Sequence, residues 1–371
     1  MKNVLYFSYS DDLSDKFSGV SKKIYAQTKA IEQLNCNVLL AGNIGGLYGI
    51  VGDTERVNLR AQSLLTKKKI MFNFLIKKIK QRNIDVVYIR MIGASPRFIS
   101  FLRLVKSLNV KIIMEIPTYP YDQEAKSFKG KVYNFLDRIY RKQYKGLIDY
   151  IVTFSDDDFI YDVKCINISN AVSEDSIQKN IPVKNTGILK FISVSSLYYW
   201  HGVDRFVDSI EHHINHDNNN FPFKFYIVGP NNEEMRKIRK KLEVNNKLNQ
   251  FVEYLGFKNS QELNEIYKDT HIGVGSLGRH RSNIFKINTL KNKEYCANGL
   301  PIIYSENDRD LDGKSFVYKV PADESNIDIN SICEWYINRC WNDSDITDFI
   351  INYTWFSQMK KVFKTISGGG L

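Results

Sequence analysis

The sequence of 371 residues predicts an α/β protein built from two doubly wound, mostly parallel-sheet domains facing each other across a cleft. Three observations lead there. Short apolar β-rich runs alternate with helix-length amphipathic segments from the first residue onward, as in βαβ units. The alternation restarts after Asn185. At about 150 residues per domain the length gives two domains, each able to bury its own core.

In the first series, Asn3–Tyr9 is almost wholly apolar, as expected of a parallel strand covered on both faces. A polar loop ending at Ser18-Gly19 follows, then a helical pattern over Ser21–Leu34 with Ile24, Ile31 and Leu34 roughly in register. Asn37–Leu40, Asp85–Ile89, Val110–Ile116 and Tyr150–Phe154 read as further strands. Gln178–Gly187 is polar, with one Pro and one Gly, and reads as a linker. The second series is Leu189–Val194, Phe223–Gly229, Val252–Gly256, Ile272–Gly275 and Pro301–Ser305. Trp355–Ile366 reads as a last helix, ahead of a flexible SGGGL tail. The expected bounds are 1–178, 188–350 and a C-terminal helix and tail over 351–371. In doubly wound sheets ligands sit at the carboxyl ends of the strands, which makes the cleft the expected site.

Composition excludes several classes. With 43% hydrophobic residues, 22 Tyr and 22 Phe, the chain requires packed interiors and is neither fibrous nor disordered. No apolar run approaches the ~18 residues of a spanning helix. The start reaches Asp11 and Asp12 too soon for a signal-peptide core. Five cysteines with no CxxC pair argue against a disulfide framework or zinc cluster and place the chain in a reducing cytoplasm. The net charge of +11 suits nucleic acid, an anionic membrane face or a phosphorylated ligand, without choosing among them.

Two stretches can carry chemistry. Lys16–Val20 places Gly19 between the first strand and the first helix, where backbone can approach a phosphate at a helix N-terminus. It contains neither GxGxxG nor a P-loop, and an ordinary βα turn explains it equally well. Gly275–Pro301 is richer. Basic Arg279, His280 and Arg281 precede a helix starting near Thr289, whose cap leaves the amides of Leu290, Lys291 and Asn292 facing an anion. Glu294 lies one turn further in, where a carboxylate is stabilised and can bind vicinal hydroxyls. The helix stops at Asn298-Gly299, with Pro301 beyond. An anion site followed by a hydroxyl-binding carboxylate suits a nucleotide sugar. The alternative is an exposed helix charge and a solvated basic loop.

In FSGVSKKIYAQTKAIEQL after the first strand, Ile166–Val172, Phe191–Asp204, Ile227–Pro230, Tyr254–Phe257 and above all Leu290–Ile303 (LKNKEYCANGLPII), and so over nearly its whole length, the chain resembles the retaining group-1 glycosyltransferases, family 4. Ile113–Asp122 and Tyr198–Gly202 are similar to a subgroup of capsule and O-antigen transferases. The resemblance implies the GT-B fold, with the C-terminal helix packing back on the N-terminal domain. It also implies retention of anomeric configuration and no metal or other cofactor. Of the family's two glutamates separated by seven residues, Glu294 matches the second, which binds the donor ribose, while the first falls on Lys286. The family's diphosphate-binding Arg and Lys fall on Ser196 and His201, so Arg279, Lys286, Lys291 and Arg205 become the candidates for the pyrophosphate. The acceptor-side His falls on Glu115, followed by Pro117 and Tyr119-Pro120-Tyr121, with Asp122 a weaker candidate. A carboxylate among tyrosines can bind sugar hydroxyls; equally, it can be a buried carboxylate tied to a lysine or a backbone amide.

Thr66–Arg82 holds seven basic residues and no acidic one around apolar positions from Ile70 to Ile79. As a cationic amphipathic helix it fits docking of the Lys67–Arg82 segment on an anionic bilayer, beside the alternative of a core helix with a solvated outer face. No recognition motif for nucleic acid accompanies these charges. The function expected is hexosyl transfer from a nucleotide diphosphate sugar to a growing glycan on a polyprenyl-diphosphate lipid, in bacterial surface polysaccharide synthesis at the inner membrane face. The rivals are a nucleotide-sugar epimerase of the same fold and a catalytically silent nucleotide- or glycan-binding protein.

Overall fold

The computed structural model describes residues 1–15, 18–58, 64–120, 128–178, 187–216 and 221–368. Lys16, Phe17, Asp122, residues 179–186 of the expected linker and the last three residues lie outside it. The chain divides into two units, Met1–Ser169 with Trp355–Leu371, and Asn170–Thr354.

The first unit runs β1 (Lys2–Asp12), α1 (Gly19–Gln33), β2 (Cys36–Ile44), β3 (Leu47–Ile50), β4 (Arg56–Asn58), α2 (Leu64–Gln81), β5 (Val86–Arg90), α3 (Pro96–Ser107), β6 (Lys111–Ile116), α4 (Phe128–Tyr140), β7 (Tyr150–Thr153), β8 (Phe159–Ile160) and β9 (Val163–Asn167). The sheet order is β4-β3-β2-β1-β5-β6-β7-β9-β8. Its centre is parallel, and β3, β4 and β8 add antiparallel edges. Val4 to Phe7 of β1 have no exposed surface, which is why that strand reads as a continuous apolar run rather than an alternating one. The β2–β3–β4 meander extends a strand that the sequence pattern ends at Leu40, because Gly45 and Gly46, both at positive φ, read as loop while forming the hairpin turn.

The second unit runs β10 (Leu189–Val194), α5 (Val203–His216), β11 (Phe223–Val228), α6 (Glu233–Val244), β12 (Val252–Gly256), α7 (Ser260–Lys268), β13 (Ile272–Val274), α8 (Leu290–Ala297), β14 (Ile302–Tyr304), β15 (Val317–Lys319), α9 (Ile329–Ile337) and α10 (Asp343–Ile351). Its six strands are all parallel, in the order β12-β11-β10-β13-β14-β15. That order reverses between β10 and β13, the topological switch point at which doubly wound sheets bind ligands. Each unit has its own core cluster. Caps set the helix starts: Ser18 for α1, Ser95 with Pro96 for α3, Asn232 for α6, and a capping box from Asn259 to Glu262 for α7.

The last helix, α11 (Trp355–Ile366), belongs to the first unit. Its apolar face buries Trp355, Met359, Val362, Phe363 and Ile366, each contributing about 1.5–3 kcal/mol. Gln358 accepts from the Ser169 amide at 2.9 Å, and Lys2 donates to Ser367 at 2.6 Å. At the other crossing the bound expected at 178 requires correction. Residues 170–178 hydrogen-bond within the second unit, Val172 to Tyr353 at 3.0 Å and Gln178 to Ala297 at 2.8 Å.

The helix α2 takes the core-helix alternative for its apolar face. Met71, Phe72, Phe74, Leu75 and Ile79 are buried in the first core, so the apolar face is not available to lipid. Lys78, also buried, pairs with Asp53 at 3.1 Å and Glu55 at 2.9 Å, and Lys77 pairs with Glu55 at 2.8 Å. Part of the cationic run is thereby neutralised. Among the described residues no helix is long and apolar enough to cross a membrane.

Candidate functional site

The site forms in the second unit, where β10, β13 and β14 end. After Val194 the chain passes exposed Ser196 and enters one 3-10 turn, Tyr199–His201. Gly202 follows with φ +66°, and a Cβ there would lie 2.6 Å from the Gly278 nitrogen and the Leu277 carbonyl carbon. The loop after β13 therefore seats directly on this glycine, and the Leu277 amide donates to the His201 carbonyl at 2.9 Å. A similar close approach occurs at Gly275, where a Cβ would come within 2.7 Å of Asn292 Oδ1.

Within that loop the cations divide by their partners. Arg281 donates to both Asp204 oxygens at 2.9 and 2.8 Å, to Glu324 at 2.7 and 2.8 Å and to the Tyr199 carbonyl at 2.8 Å. Hydrogen bonds from Arg281, with His280 adding, pull the Glu324 carboxyl down to about 2. His280 Nε2 meets Glu324 at 2.6 Å. Arg205, expected on the diphosphate, is a structural staple instead. Its five donors meet the Ser325 carbonyl at 3.0 and 2.9 Å, the Leu277 and Pro321 carbonyls at 2.9 Å and Asp323 at 3.5 Å. None is left for a phosphate. Arg279 differs from both: its Nε is buried with no hydrogen-bond partner.

The entrance to α8 is fixed from behind. The Asn307 amide donates to the Phe285 carbonyl at 2.7 Å and the Ile287 amide to the Asn307 carbonyl at 3.0 Å, so residues 285–287 lie along the segment leaving β14. Asn170 Nδ2 holds the Asn288 carbonyl at 2.7 Å. Fully buried Lys293 pairs with Asp310 at 2.9 Å and lies 4.1 Å over the Tyr353 ring. Lys286 itself is exposed on this strap. Thr289 caps α8 as expected, its Oγ1 accepting from the Asn292 amide at 3.4 Å. That bond corrects the count of amides facing an anion, which becomes two, Leu290 and Lys291.

Around this helix start lies a cluster of buried polar atoms without hydrogen-bond partners: Ser276 Oγ, Arg279 Nε, Lys291 Nζ, both amide atoms of Asn292, both carboxylate oxygens of Glu306 and Asp308 Oδ2. Buried polar groups in folded proteins are almost always satisfied, since each one left bare costs about 1–3 kcal/mol and charged ones more. Burial lowers the pKa of Lys291 and raises that of Glu306, while the attraction between the two opposes both shifts. Burial raises Asp308 to about 6. His201 sits at the edge of the cluster, 8% exposed. Burial, with Lys291 and Arg279 adding, pulls it down to about 3, so the ring is neutral. Its Nδ1 accepts from the Tyr198 amide at 3.1 Å, which puts the ring proton on Nε2 as a donor.

Two cations, two helix-terminal amides and a neutral imidazole donor make a site for a multiply charged anion. Glu294 stands exposed one turn into α8, and its charge reaches Lys291. Glu306 and Ser276 were not legible as site residues in the sequence, and Asn292 was expected there only through its backbone amide. The one available signal was that Glu306 is the first carboxylate beyond the carboxyl end of β14.

In the first unit, Glu115 is a tied carboxylate rather than an open one. It has no exposed surface and accepts from Tyr88 at 2.7 Å, Gln27 at 2.8 Å and Arg90 at 3.0 Å, with Lys23 at 3.3 Å. Although burial raises its pKa, Lys23 and Arg90 outweigh that and hold the carboxyl below its ordinary value. Of its two alternatives, the geometry therefore supports the buried, lysine-tied one, and Glu115 is withdrawn as an acceptor ligand. Gly19 opens α1 behind the Ser18 cap, with nothing within 4 Å of where a Cβ would stand.

Residues 189–326 match the family model described as glycosyl transferases group 1, a span that includes the bare polar cluster and α8. No curated protein sequence matches the chain. Among solved structures the chain is similar to a glycosyltransferase from Rickettsia africae at 14% identity and a TM-score of 0.64, covering 100% of this chain and 99% of that one. It is similar to a trehalose-6-phosphate structure from E. coli bound with UDP-2-fluoro glucose, at 12% identity and a TM-score of 0.62, with both chains fully covered. It is also similar to the lipopolysaccharide outer core galactosyltransferase WaaB, at 13% identity and a TM-score of 0.59, with 99% of each chain covered. The fold is GT-B. The switch point of the second GT-B unit and the bare polar cluster coincide.

Proposed function

We propose that this GT-B chain is a glycosyltransferase that moves a hexosyl unit from a nucleotide diphosphate sugar to a glycan acceptor, with retention of configuration. The observation that carries the reading is the buried Lys291 Nζ and Arg279 Nε, both without a hydrogen-bond partner, at the N-terminus of α8. The group 1 match over residues 189–326 supports it. So do the neighbours, one described as bound to UDP-2-fluoro glucose and another named as a galactosyltransferase.

In sugar transfer, negative charge grows on the departing diphosphate as the glycosidic bond breaks. Lys291, Arg279, the Leu290 and Lys291 amides and the His201 Nε2–H are donors that interact more strongly with the departing diphosphate than with the intact donor. Glu294 takes the ribose hydroxyls in this reading. The leaving phosphate oxygen accepts the acceptor's proton, so no protein nucleophile is needed. The cations bring the positive charge that a metal would otherwise supply, and activity is expected to persist in EDTA. A lipid-linked acceptor in bacterial surface polysaccharide synthesis, of capsule or O-antigen type, belongs to the same proposal through the family 4 resemblance.

The test is release of nucleoside diphosphate from a panel of nucleotide sugars, with and without membrane-extracted lipid acceptors, and proton NMR of the product's anomeric signal. Acceptor-stimulated release with a retained anomer is expected. Binding without turnover would replace the proposal with the silent-binder reading, and interconversion of the donor sugar would replace it with an epimerase.

A further inference from the structure

Glu306 is 1% exposed, and neither carboxylate oxygen has a hydrogen-bond partner on another residue. The backbone on either side of it is fixed. The residue after it is held in both directions by backbone bonds to Phe285 and Ile287, and Ser305 before it donates to the Ser276 carbonyl at 3.0 Å. The charges within reach of it are Lys291, Arg279 and Asp308. A carboxylate cannot itself receive a diphosphate, which would bring like charge against it. What satisfies it must carry O–H or N–H donors and arrive beside the anion held by Lys291 and Arg279. A nucleotide diphosphate sugar offers hydroxyls on both sides of its diphosphate. Glu294, reaching Lys291 from further along α8, occupies one side, and Glu306 reaches the same lysine from the end of β14.

We infer that Glu306 is the donor-sugar ligand of this site, its two oxygens accepting hydroxyls of the transferred ring while Glu294 serves the ribose. The inference rests on the donor-site reading above. It makes Glu306 a specificity residue: it recognises the sugar and is silent toward the nucleotide alone. A buried acceptor built for hydroxyls discriminates strongly against an analogue that lacks one, because the carboxylate is then left bare.

The experiment compares wild type with Glu306→Gln by isothermal titration and steady-state kinetics. The probes are whichever of UDP, GDP, ADP, CDP and dTDP the wild type binds, its glucose and galactose esters, and esters deoxygenated at single ring positions. The expected result is nucleoside diphosphate affinity within about threefold of wild type, or tighter, with kcat/KM for the sugar ester down 10- to 1,000-fold. One deoxygenated donor should reproduce that loss in wild type and lose nothing further in the variant. Equal losses for nucleotide and nucleotide sugar would overturn the inference, making Glu306 a support for Lys291. Unchanged kinetics would overturn it too. If the wild type binds none of the five nucleotides, the donor reading fails and this inference with it; if it binds one and the variant behaves as wild type, the inference alone fails. Should Glu306→Gln not fold, Glu306→Asp keeps the charge, draws the oxygens back, and is held to the same outcomes.

Discussion

Replacing Lys291 by Met should make the protein more stable and less able to bind its ligand. The methionine retains most of the stem volume and deletes an ammonium that is buried with no hydrogen-bond partner. A bare buried polar group costs about 1–3 kcal/mol, and the lowered Lys291 pKa expresses the same penalty. Glu306 loses an opposite charge in the variant, but burial already raises its pKa, so it takes up a proton instead of remaining an unpaired anion. The net expectation is a gain of roughly 1–2 kcal/mol in the second unit, or a Tm higher by about 2–8 °C for a domain of this size. Against this, a charge-assisted bond to a diphosphate contributes about 1.5–3 kcal/mol, so affinity should fall roughly 10- to 150-fold. Differential scanning calorimetry of the free proteins and titration with nucleoside diphosphate give the two numbers. A less stable variant with unchanged affinity would refute the reasoning, because Lys291 would then be a structural residue.

Two further outcomes follow from the same geometry. Glu115→Gln leaves Lys23 and Arg90 facing a neutral amide in a buried network, which costs roughly 3–5 kcal/mol. The Tm of the first unit should drop by about 6–20 °C with nucleotide affinity unchanged, whereas an unaltered melt would show that the carboxylate is not what holds the network. His201 is neutral in the fold down to about 3, while the unfolded chain protonates it near 6.5. Its stabilising contribution is therefore complete above pH 6.5 and lost as pH falls. His201→Asn retains an acceptor for the Tyr198 amide, and the stability difference between wild type and variant should shrink by about 2–3 kcal/mol between pH 7 and 4.5. Parallel denaturation curves across that range would count against a buried neutral ring.

The fold was readable because parallel strands buried on both faces print as apolar runs. Leu189–Val194 and Trp355–Ile366 have the bounds that the sequence pattern assigns them. Edge elements were not readable: β3 and β4 are only four and three residues long, and their pairing depends on a hairpin whose Gly45 and Gly46 look like loop. The site was legible where local chemistry decides the structure, as at the Thr289 cap and the N-terminus of α8. Legibility ended where tertiary contacts decide. An arginine in a motif-adjacent helix does not announce that three backbone carbonyls and an aspartate will take all its donors, as happens to Arg205. Nor does a cationic segment disclose that Asp53 and Glu55, some twenty residues earlier, meet Lys77 and Lys78. Glu306 enters the site only because the segment after β14 bridges residues 285–287, a long-range pairing invisible to periodicity.

The proposed donor site requires that the end of β14 and the start of α8 hold a nucleoside diphosphate. Isothermal titration of the full chain with UDP, GDP, ADP, CDP and dTDP, in parallel with Lys291→Met, tests it most directly. One nucleotide should bind the wild type at one site per chain, stabilise it by about 2.7 kcal/mol at 100 times its Kd, and bind the variant at least tenfold more weakly. Five flat titrations, or equal binding by both proteins, would contradict it.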